Sequence, residues 1–290
     1  MTKKGVTLTC LSASCFGLAS IFGKLSYEGG CTAIAMTFYR ALITTGIIGG
    51  VMMIRKKSFA IKKSYILPVI LLGIFGQTLT TIFINMSYYY IPPGTALTLH
   101  FLYPAIVAVT CAVLFRETVS TAKALVILAA FLGTFFFFEG LTAGGLGGVV
   151  LALLSSVTWA FYIIYMKKAE LTEIDPFLLA FYQCVIMAVS CFLWGSISGE
   201  MRYVISGFGW RNIVLSAGLF YAALVCLQMG VHLLGATTAS ILGVFEPLSS
   251  LLFGYVLLHE SISGKQIFGT VIILEAVILL MMEDKKTRDG

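Results

Sequence analysis

The sequence predicts an all-α integral membrane protein: ten transmembrane helices built as two inverted five-helix repeats, residues 1–143 and 144–290. Three observations carry this prediction. The 290 residues are 59% hydrophobic and only 11% charged, with a mean hydropathy of +0.99. That is more apolar surface than one soluble core can hide. The apolar residues gather into runs long enough for a helix to cross a hydrocarbon core of about 30 Å. Finally, the chain lies on itself without a gap when shifted by 143 residues, the distance from Gly5 to Gly148. A period of that length is a domain-sized unit used twice, not a solenoid of short repeats.

In chain order the spans run over 5–27, 31–54, 65–90, 93–115 and 121–139, then 145–168, 175–197, 211–234, 236–258 and 264–282. The first follows Lys3 and Lys4 as a signal peptide would. It lacks a clear small-residue cleavage site and recurs at residue 148, so it is expected to be retained. In the third and fourth spans, Met86, Thr95, Ala96, Leu99 and Pro104 return as Met229, Thr238, Ala239, Leu242 and Pro247 in the eighth and ninth. Gly46 with Gly50, and Gly73 with Gly76, have the spacing that suits close helix contact. Glu117 and Glu260 close spans 4 and 9, and Ser120 and Ser263 are expected to cap the helices that follow. The cluster Gly140, Gly144, Gly145, Gly147 and Gly148 reads as a flexible joint between the repeats.

Basic residues in short loops mark the cytoplasmic face. One face collects Lys3, Lys4, Arg55, Lys56, Lys57, Lys62, Lys63, Arg116, Lys123, Lys167, Lys168, Lys285, Lys286 and Arg288, while the other holds Lys24, Arg202, Arg211 and Lys265. Both termini are therefore expected in the cytoplasm, with the chain multi-pass in the plasma membrane. The net charge of +6 reflects this asymmetry and gives no sign of nucleic acid as a partner. Five spans per unit is an odd number, so the second unit enters the membrane from the opposite side. Inverted repeats of this kind are a common plan of secondary transporters.

The sequence also resembles the drug/metabolite transporter superfamily, specifically its ten-helix EamA-type members, over nearly the whole chain. The resemblance rests on Glu246-Pro247 through Glu260-Ser261-Ile262-Ser263, echoed by Tyr103-Pro104 through Glu117-Thr118-Val119-Ser120. It rests also on Phe16-Gly17 with Lys24, matched by Trp159-Ala160 with Lys167, and on Arg40 within Phe38-Tyr39-Arg40-Ala41-Leu42. The family's first helix often has tryptophan before glycine; here the first half carries Phe16 and the second keeps Trp159. The resemblance implies export of amino acids or other small metabolites.

Ionisable side chains deep in a bilayer cost roughly 2.5–3.5 kcal/mol on insertion scales and call for a reason. At 1.5 Å per residue, Arg40 lies about 14 Å from the outer end of its span, Glu246 about 15 Å from the inner end and Glu275 about 16 Å from the outer end. Glu246 precedes Pro247, whose ring is expected to free the carbonyl of Gly243 beside the acid. Its repeat mate Tyr103 precedes Pro104 in the same way, so Tyr103 and Glu246 are expected on opposite walls of a central cavity. Arg40 either binds substrate or pairs with Glu275, holding helices together or stabilising a homodimer. Further candidates for substrate binding are Gln77, Asn85, Tyr88, His100, Trp159, Tyr162, Tyr221, Gln228 and His232. Amides can serve a zwitterion and aromatic faces an ammonium. Tyr90, just before Ile91-Pro92-Pro93-Gly94, reads as an interfacial anchor.

The expected function is secondary transport of small polar or amphipathic metabolites by alternating access, with membrane lipids as the surrounding partner. A lipid or polyprenyl-carrier translocase is the alternative. No Walker-type glycine loop is present, so energy must come from a gradient. An intramembrane enzyme is disfavoured, because the chain has no His-Glu-x-x-His, Gly-x-Ser-x-Gly or paired-Asp motif. No catalytic residue, metal site or cofactor is expected, and the seven cysteines read as small buried apolar residues.

Overall fold

The structure, a computed structural model, describes residues 3–115, 121–137, 145–234, 239 and 242–289. The expected joint residues Gly140 and Gly144, and the expected loop residues Arg116, Glu117 and Ser120, lie outside the described residues. So do the side chains of Lys123, Gln228, His232, Lys285, Lys286 and Arg288.

The described residues are helical and contain no strand. Helix α1 (Lys3–Glu28) turns through Gly29-Gly30 into α2 (Ala33–Ile54), and Gly30 takes the left-handed φ of +89° that this reversal needs. The hydroxyl of Thr32 caps α2 by accepting from the Ala35 amide at 3.1 Å. The third span is helix α3 (Lys63–Leu71), a stretch of wider π-helical turns over Leu72–Thr78, and α4 (Leu79–Ser87). Two glycines sit in the wide stretch. A Cβ on Gly73 would meet Ile186, and one on Gly76 would meet Tyr162, at 2.9 Å. By contrast, Gly46 and Gly50 have nothing within 4 Å of a built Cβ, so that expected contact is absent.

The fourth span is not one helix. It divides into α5 (Pro93–His100) and α6 (Tyr103–Phe115), broken at Phe101-Leu102. Helix α7 (Thr121–Gly133) tightens into a 3-10 turn over Thr134–Phe137. Helix α8 (Gly145–Lys168) leads to α9 (Pro176–Ile197), followed by α10 (Gly207–Leu234), α11 (Phe245–Leu258) and α12 (Gly264–Asp289). Ser263 caps α12 reciprocally with Gln266. The Ser263 hydroxyl accepts from the Gln266 amide at 3.2 Å, and the Gln266 side-chain oxygen accepts from the Ser263 amide at 3.1 Å. Among the described residues, seven stretches are long and apolar enough to cross a membrane, counting α3–α4 and α5–α6 as one each; Ala124–Phe136 and Phe245–Leu258 are shorter apolar helices.

The pattern of side chains is that of a protein whose solvent is lipid. Large apolar side chains such as Met53, Leu67, Val113, Leu125 and Phe135 stand exposed, while Ser12, Thr37, Ser155 and Ser216 are buried. Buried hydroxyls bond helix to helix, as such groups do where no water is available. Ser12 donates to the Ala223 carbonyl at 2.7 Å and Ser216 to that of Ala19 at 2.8 Å, joining α1 to α10. Thr80 and Thr158 bond at 2.6 Å, joining α4 to α8. These are corresponding interfaces, since α8 and α10 follow α1 and α3–α4 at the 143-residue shift. In the same way α1 packs on α11 as α8 packs on α5 and α6, whereas α2 with α9, and α7 with α12, each pack on their own counterpart.

Gly17 shows how close these approaches are. A Cβ there would lie 2.7 Å from the Glu246 carbonyl oxygen and 2.9 Å from the Ser250 amide nitrogen. Backbone cannot yield as a flexible side chain can, so Gly17→Val is expected to destabilise the protein by about 1–3 kcal/mol. The check is the apparent Tm of the purified protein, which should fall by several degrees.

One end of the α2–α9 pair is pinned by Asp175, which caps α9 by accepting from the amides of Phe177 (2.9 Å) and Leu178 (3.2 Å). Asp175 also pairs with Lys57 at 2.5 Å. Partial burial raises the carboxyl's pKa, but the Lys57 ammonium and the two amides outweigh it and hold it below the usual range. A depressed pKa contributes stability above the unfolded value near 3.9, and that contribution is lost as pH falls through the folded value. The pair is solvent-screened, so the cap carries most of the effect. Asp175→Ala is expected to cost about 1 kcal/mol at neutral pH. The cost should vanish under acid, which a pair of melting curves above and below the carboxylate range would reveal.

Candidate functional site

The broken fourth span and its counterpart open onto a central cavity of about 650 Å³. Helices α1, α2, α4, α8, α9, α10 and α11 supply its walls together with α5 and the π-helical stretch. Residues 143 apart line the cavity in pairs. Phe16 and Trp159 both line it, as do Arg40 and Gln183, Gln77 and Phe220, His100 and Gly243, and Tyr103 and Glu246.

One wall is aromatic. Trp159 and Tyr162, one turn apart on α8, stack at 4.4 Å with planes 3° apart. His100 lies 6.2 Å from Trp159 and 5.7 Å from Tyr103, and Tyr103 lies 6.4 Å from Trp159. The His100 Nδ1 is 2.9 Å from the Ser155 hydroxyl, which itself donates to the Ala152 carbonyl at 2.6 Å. With its hydrogen committed there, Ser155 can only accept, which assigns the imidazole proton to Nδ1 and leaves Nε2 as an acceptor. Gln183 donates its Nε2 to the Tyr162 hydroxyl at 3.0 Å. Asn85 lines the cavity, but its side-chain Nδ2 donates to the Thr37 hydroxyl at 2.8 Å, and its backbone carbonyl accepts from the Tyr27 hydroxyl at 2.9 Å.

Among the described residues, two charged ones line the cavity, Arg40 on α2 and Glu246 on α11. They do not pair: among the described residues the ion pairs are Lys24–Glu260 and Lys57–Asp175. The guanidinium of Arg40 lies over the Phe220 ring, 4.9 Å from its centre. Glu246 stands in the first turn of α11, where a carboxylate suits the helix dipole. The expected proline effect does not occur. Because α11 begins at Phe245, Pro247 sits in its first turn and breaks no helical bond there, and the Gly243 carbonyl accepts from the Glu246 amide at 2.9 Å.

Of the expected binding residues, Gln77, Asn85, Tyr88, His100, Tyr103, Trp159, Tyr162 and Glu246 line the cavity, as does Arg40. Tyr221 does not; it packs against the cluster of Leu72, Leu178 and Leu179, one helical position away from the cavity-lining Phe220. Glu275 is exposed on α12 and takes no part in the cavity. The expected Arg40–Glu275 pair is therefore not formed, because Arg40 is turned into the cavity from α2. Thr9, Ser20, Thr81 and Phe220 were not expected and line it as well, and so does Gln183, the repeat mate of Arg40. The register held a signal for Phe220 too, as the mate of Gln77. Among the described residues no group of His, Cys, Asp or Glu is arranged to hold a metal.

At one end the cavity is shut. Lys24 on α1 pairs with Glu260 at 2.5 Å, Tyr27 packs on Tyr89 at 4.8 Å, and the Ala33 amide donates to the Tyr89 hydroxyl. Beyond the seal lies a shallower pocket of about 420 Å³ bounded by Lys24, Tyr88–Pro92 and Leu258–Ser261; Tyr88 lines both spaces. At the other end the cavity runs to Met166, Leu171, Ile174 and Pro176, at the α8–α9 connection.

The profile of the EamA-like transporter family matches the chain twice, over residues 3–139 and 146–282. The chain belongs to the EamA-like transporter family. Both matches are offset by the 143 residues seen in the sequence. An uncharacterized transporter of Archaeoglobus fulgidus is 26% identical over 281 residues, covering 96% of this chain and 99% of that protein. An uncharacterized transporter of Synechocystis is 27% identical over 219 residues, which covers 73% of this chain and 65% of that protein's length. A crystal structure of 19% identity superposes with a TM-score of 0.64 over 97% of each chain, a likeness of fold. This EamA-like protein is thus an integral membrane transporter of the drug/metabolite type.

Proposed function

We propose that this EamA-like transporter is a secondary carrier that moves small polar or amphipathic metabolites out of the cell by alternating access. In this reading ten helices form two inverted five-helix units, residues 1–143 and 144–290, in the plasma membrane with both termini cytoplasmic. The observation that carries it is the cavity: lined by residue pairs 143 apart, shut at the Lys24–Glu260 end and reaching the α8–α9 connection at the other. A pseudo-symmetric chamber closed at one end has a natural second state in which the roles of the two ends exchange. The excess of lysine and arginine supports a cytoplasmic α8–α9 connection; in this reading the state faces inward, ready to load an export substrate. The broken helices flanking Tyr103 and Glu246 supply irregular backbone at depth, which a membrane tolerates where it lines a cavity.

The test is counterflow in proteoliposomes made with the purified chain. Accumulation of a labelled metabolite against an unlabelled pool supports the carrier. Access of reagent to labelled lipid head groups on both leaflets, without counterflow, would instead mean a lipid translocase. Thiol labelling of single cysteines placed at Lys57 and at Lys24 in intact cells tests the orientation.

A further inference from the structure

We infer that Arg40 is the docking point for a carboxylate, so that the carrier's substrates bear a carboxylate on an apolar or aromatic body. This deepens the carrier reading and rests on it. Arg40 is 7% exposed, and that residue of exposure opens into the cavity. Its Nε is buried without a hydrogen-bond partner. The guanidinium stays charged at any physiological pH, and a buried charge without a counter-ion is costly unless something completes it. Among the described residues nothing does: neither ion pair includes Arg40 or Glu246, and Glu275 is exposed on α12.

The geometry fits a planar anion. The guanidinium carbon lies 4.9 Å from the centre of the Phe220 ring and Nε makes no hydrogen bond, which leaves N–H donors for a carboxylate; a guanidinium fork receives one bidentately. The repeat mate Gln183 does not compete for this role, since its amide is bonded to Tyr162. Phe220, over which Arg40 lies, packs edge-on against Phe16 at 5.3 Å, and Leu224 and Leu227 follow it along α10 in the cavity lining. An anion with a greasy body would therefore meet both its charge and its surface needs at this place.

The experiment is a thermal-shift series on the purified full chain with phenylalanine, 3-phenylpropionate, phenylalaninamide and phenethylamine, with inorganic phosphate and acetate as free-anion controls. The two carboxylates should stabilise the wild type; the amide and the amine should do so at least tenfold more weakly. Arg40→Leu should weaken carboxylate binding roughly 10- to 100-fold, and Arg40→Lys should recover part of it. The apo Tm separates binding from a structural role. An unpartnered arginine can be replaced by leucine without loss of Tm, whereas a structural ion pair would lower it. Equal response to acid and amide overturns the inference, as does an Arg40→Leu variant that retains the acid preference. Stabilisation by phosphate or acetate equal to that by phenylpropionate also overturns it, by showing a free-anion site. Counterflow of amines or amides in that event leaves the carrier standing without the carboxylate, so the two failures are distinguishable.

Discussion

Glu246→Gln is expected to reduce uphill transport roughly 10- to 100-fold and to flatten its dependence on pH. Glu246 is the one carboxylic acid lining the cavity among the described residues, and its side chain hydrogen-bonds to no described residue. A carboxyl so placed has two uses in a carrier: to exchange a proton with one face and then the other, or to meet a cationic group on the substrate. Glutamine preserves its shape and removes both. A hydrogen bond to a charged group contributes about 1.5–3 kcal/mol, and tenfold corresponds to about 1.4 kcal/mol, which sets the range. No structural partner is lost, so the apparent Tm should hold within a few degrees. Rates from pH 5.5 to 8.5 in proteoliposomes decide the matter. A variant that transports at the wild-type rate with the wild-type pH profile would exclude Glu246 from the cycle.

The fold was largely legible in the sequence because lipid imposes length and hydropathy on each span, and duplication writes every constraint twice. The register also bears on the cavity, since several residues line it together with their own mates, Phe16 with Trp159 and Tyr103 with Glu246 among them. What escaped was local backbone geometry. Hydropathy over 93–115 and 236–258 is continuous, so nothing in it marks the break at Phe101-Leu102 or the turn at Gly243-Val244 that precedes α11. That turn is why Pro247 occupies a first turn and the Gly243 carbonyl is bonded. Angular direction escaped too. One residue on a helix is about 100° of rotation, enough to put Phe220 in the cavity and Tyr221 against Leu72. Depth in the bilayer, readable by counting, does not tell the inside of a bundle from its lipid face. Arg40 and Glu275 were given similar depths, yet one is buried in the cavity wall and the other exposed.

Breaking the Lys24–Glu260 pair is expected to open the sealed end of the cavity. The two side chains are 29% and 11% exposed, and they join α1 to the segment after α11 across the mouth of the chamber. Glu260 is also seated against Gly254, where a Cβ would touch its carboxylate at 2.5 Å, so the contact depends on close approach as well as charge. Removing one partner leaves the other charge partly buried and uncompensated. A fully buried pair would lose 3–5 kcal/mol and an exposed one under 1, which places this half-sheltered pair at about 1–2 kcal/mol. Since the pair can form only while this end is shut, its loss should shift the population toward the open state by about 5- to 30-fold. Tyr88 borders both the cavity and the outer pocket. Tyr88→Cys in a cysteine-free background, labelled with a membrane-impermeant maleimide, therefore reads the opening directly. Lys24→Ala and Glu260→Ala should each speed labelling, and the exchanged pair Lys24→Glu with Glu260→Lys should return it to within a fewfold of the starting rate. Lys57→Ala, which breaks the ion pair at the other end, serves as the control: it should leave labelling from the Lys24 side unchanged or slow it. If single removal of either Lys24 or Glu260 leaves the rate unchanged, the seal is held by the tyrosines Tyr27 and Tyr89 and not by charge.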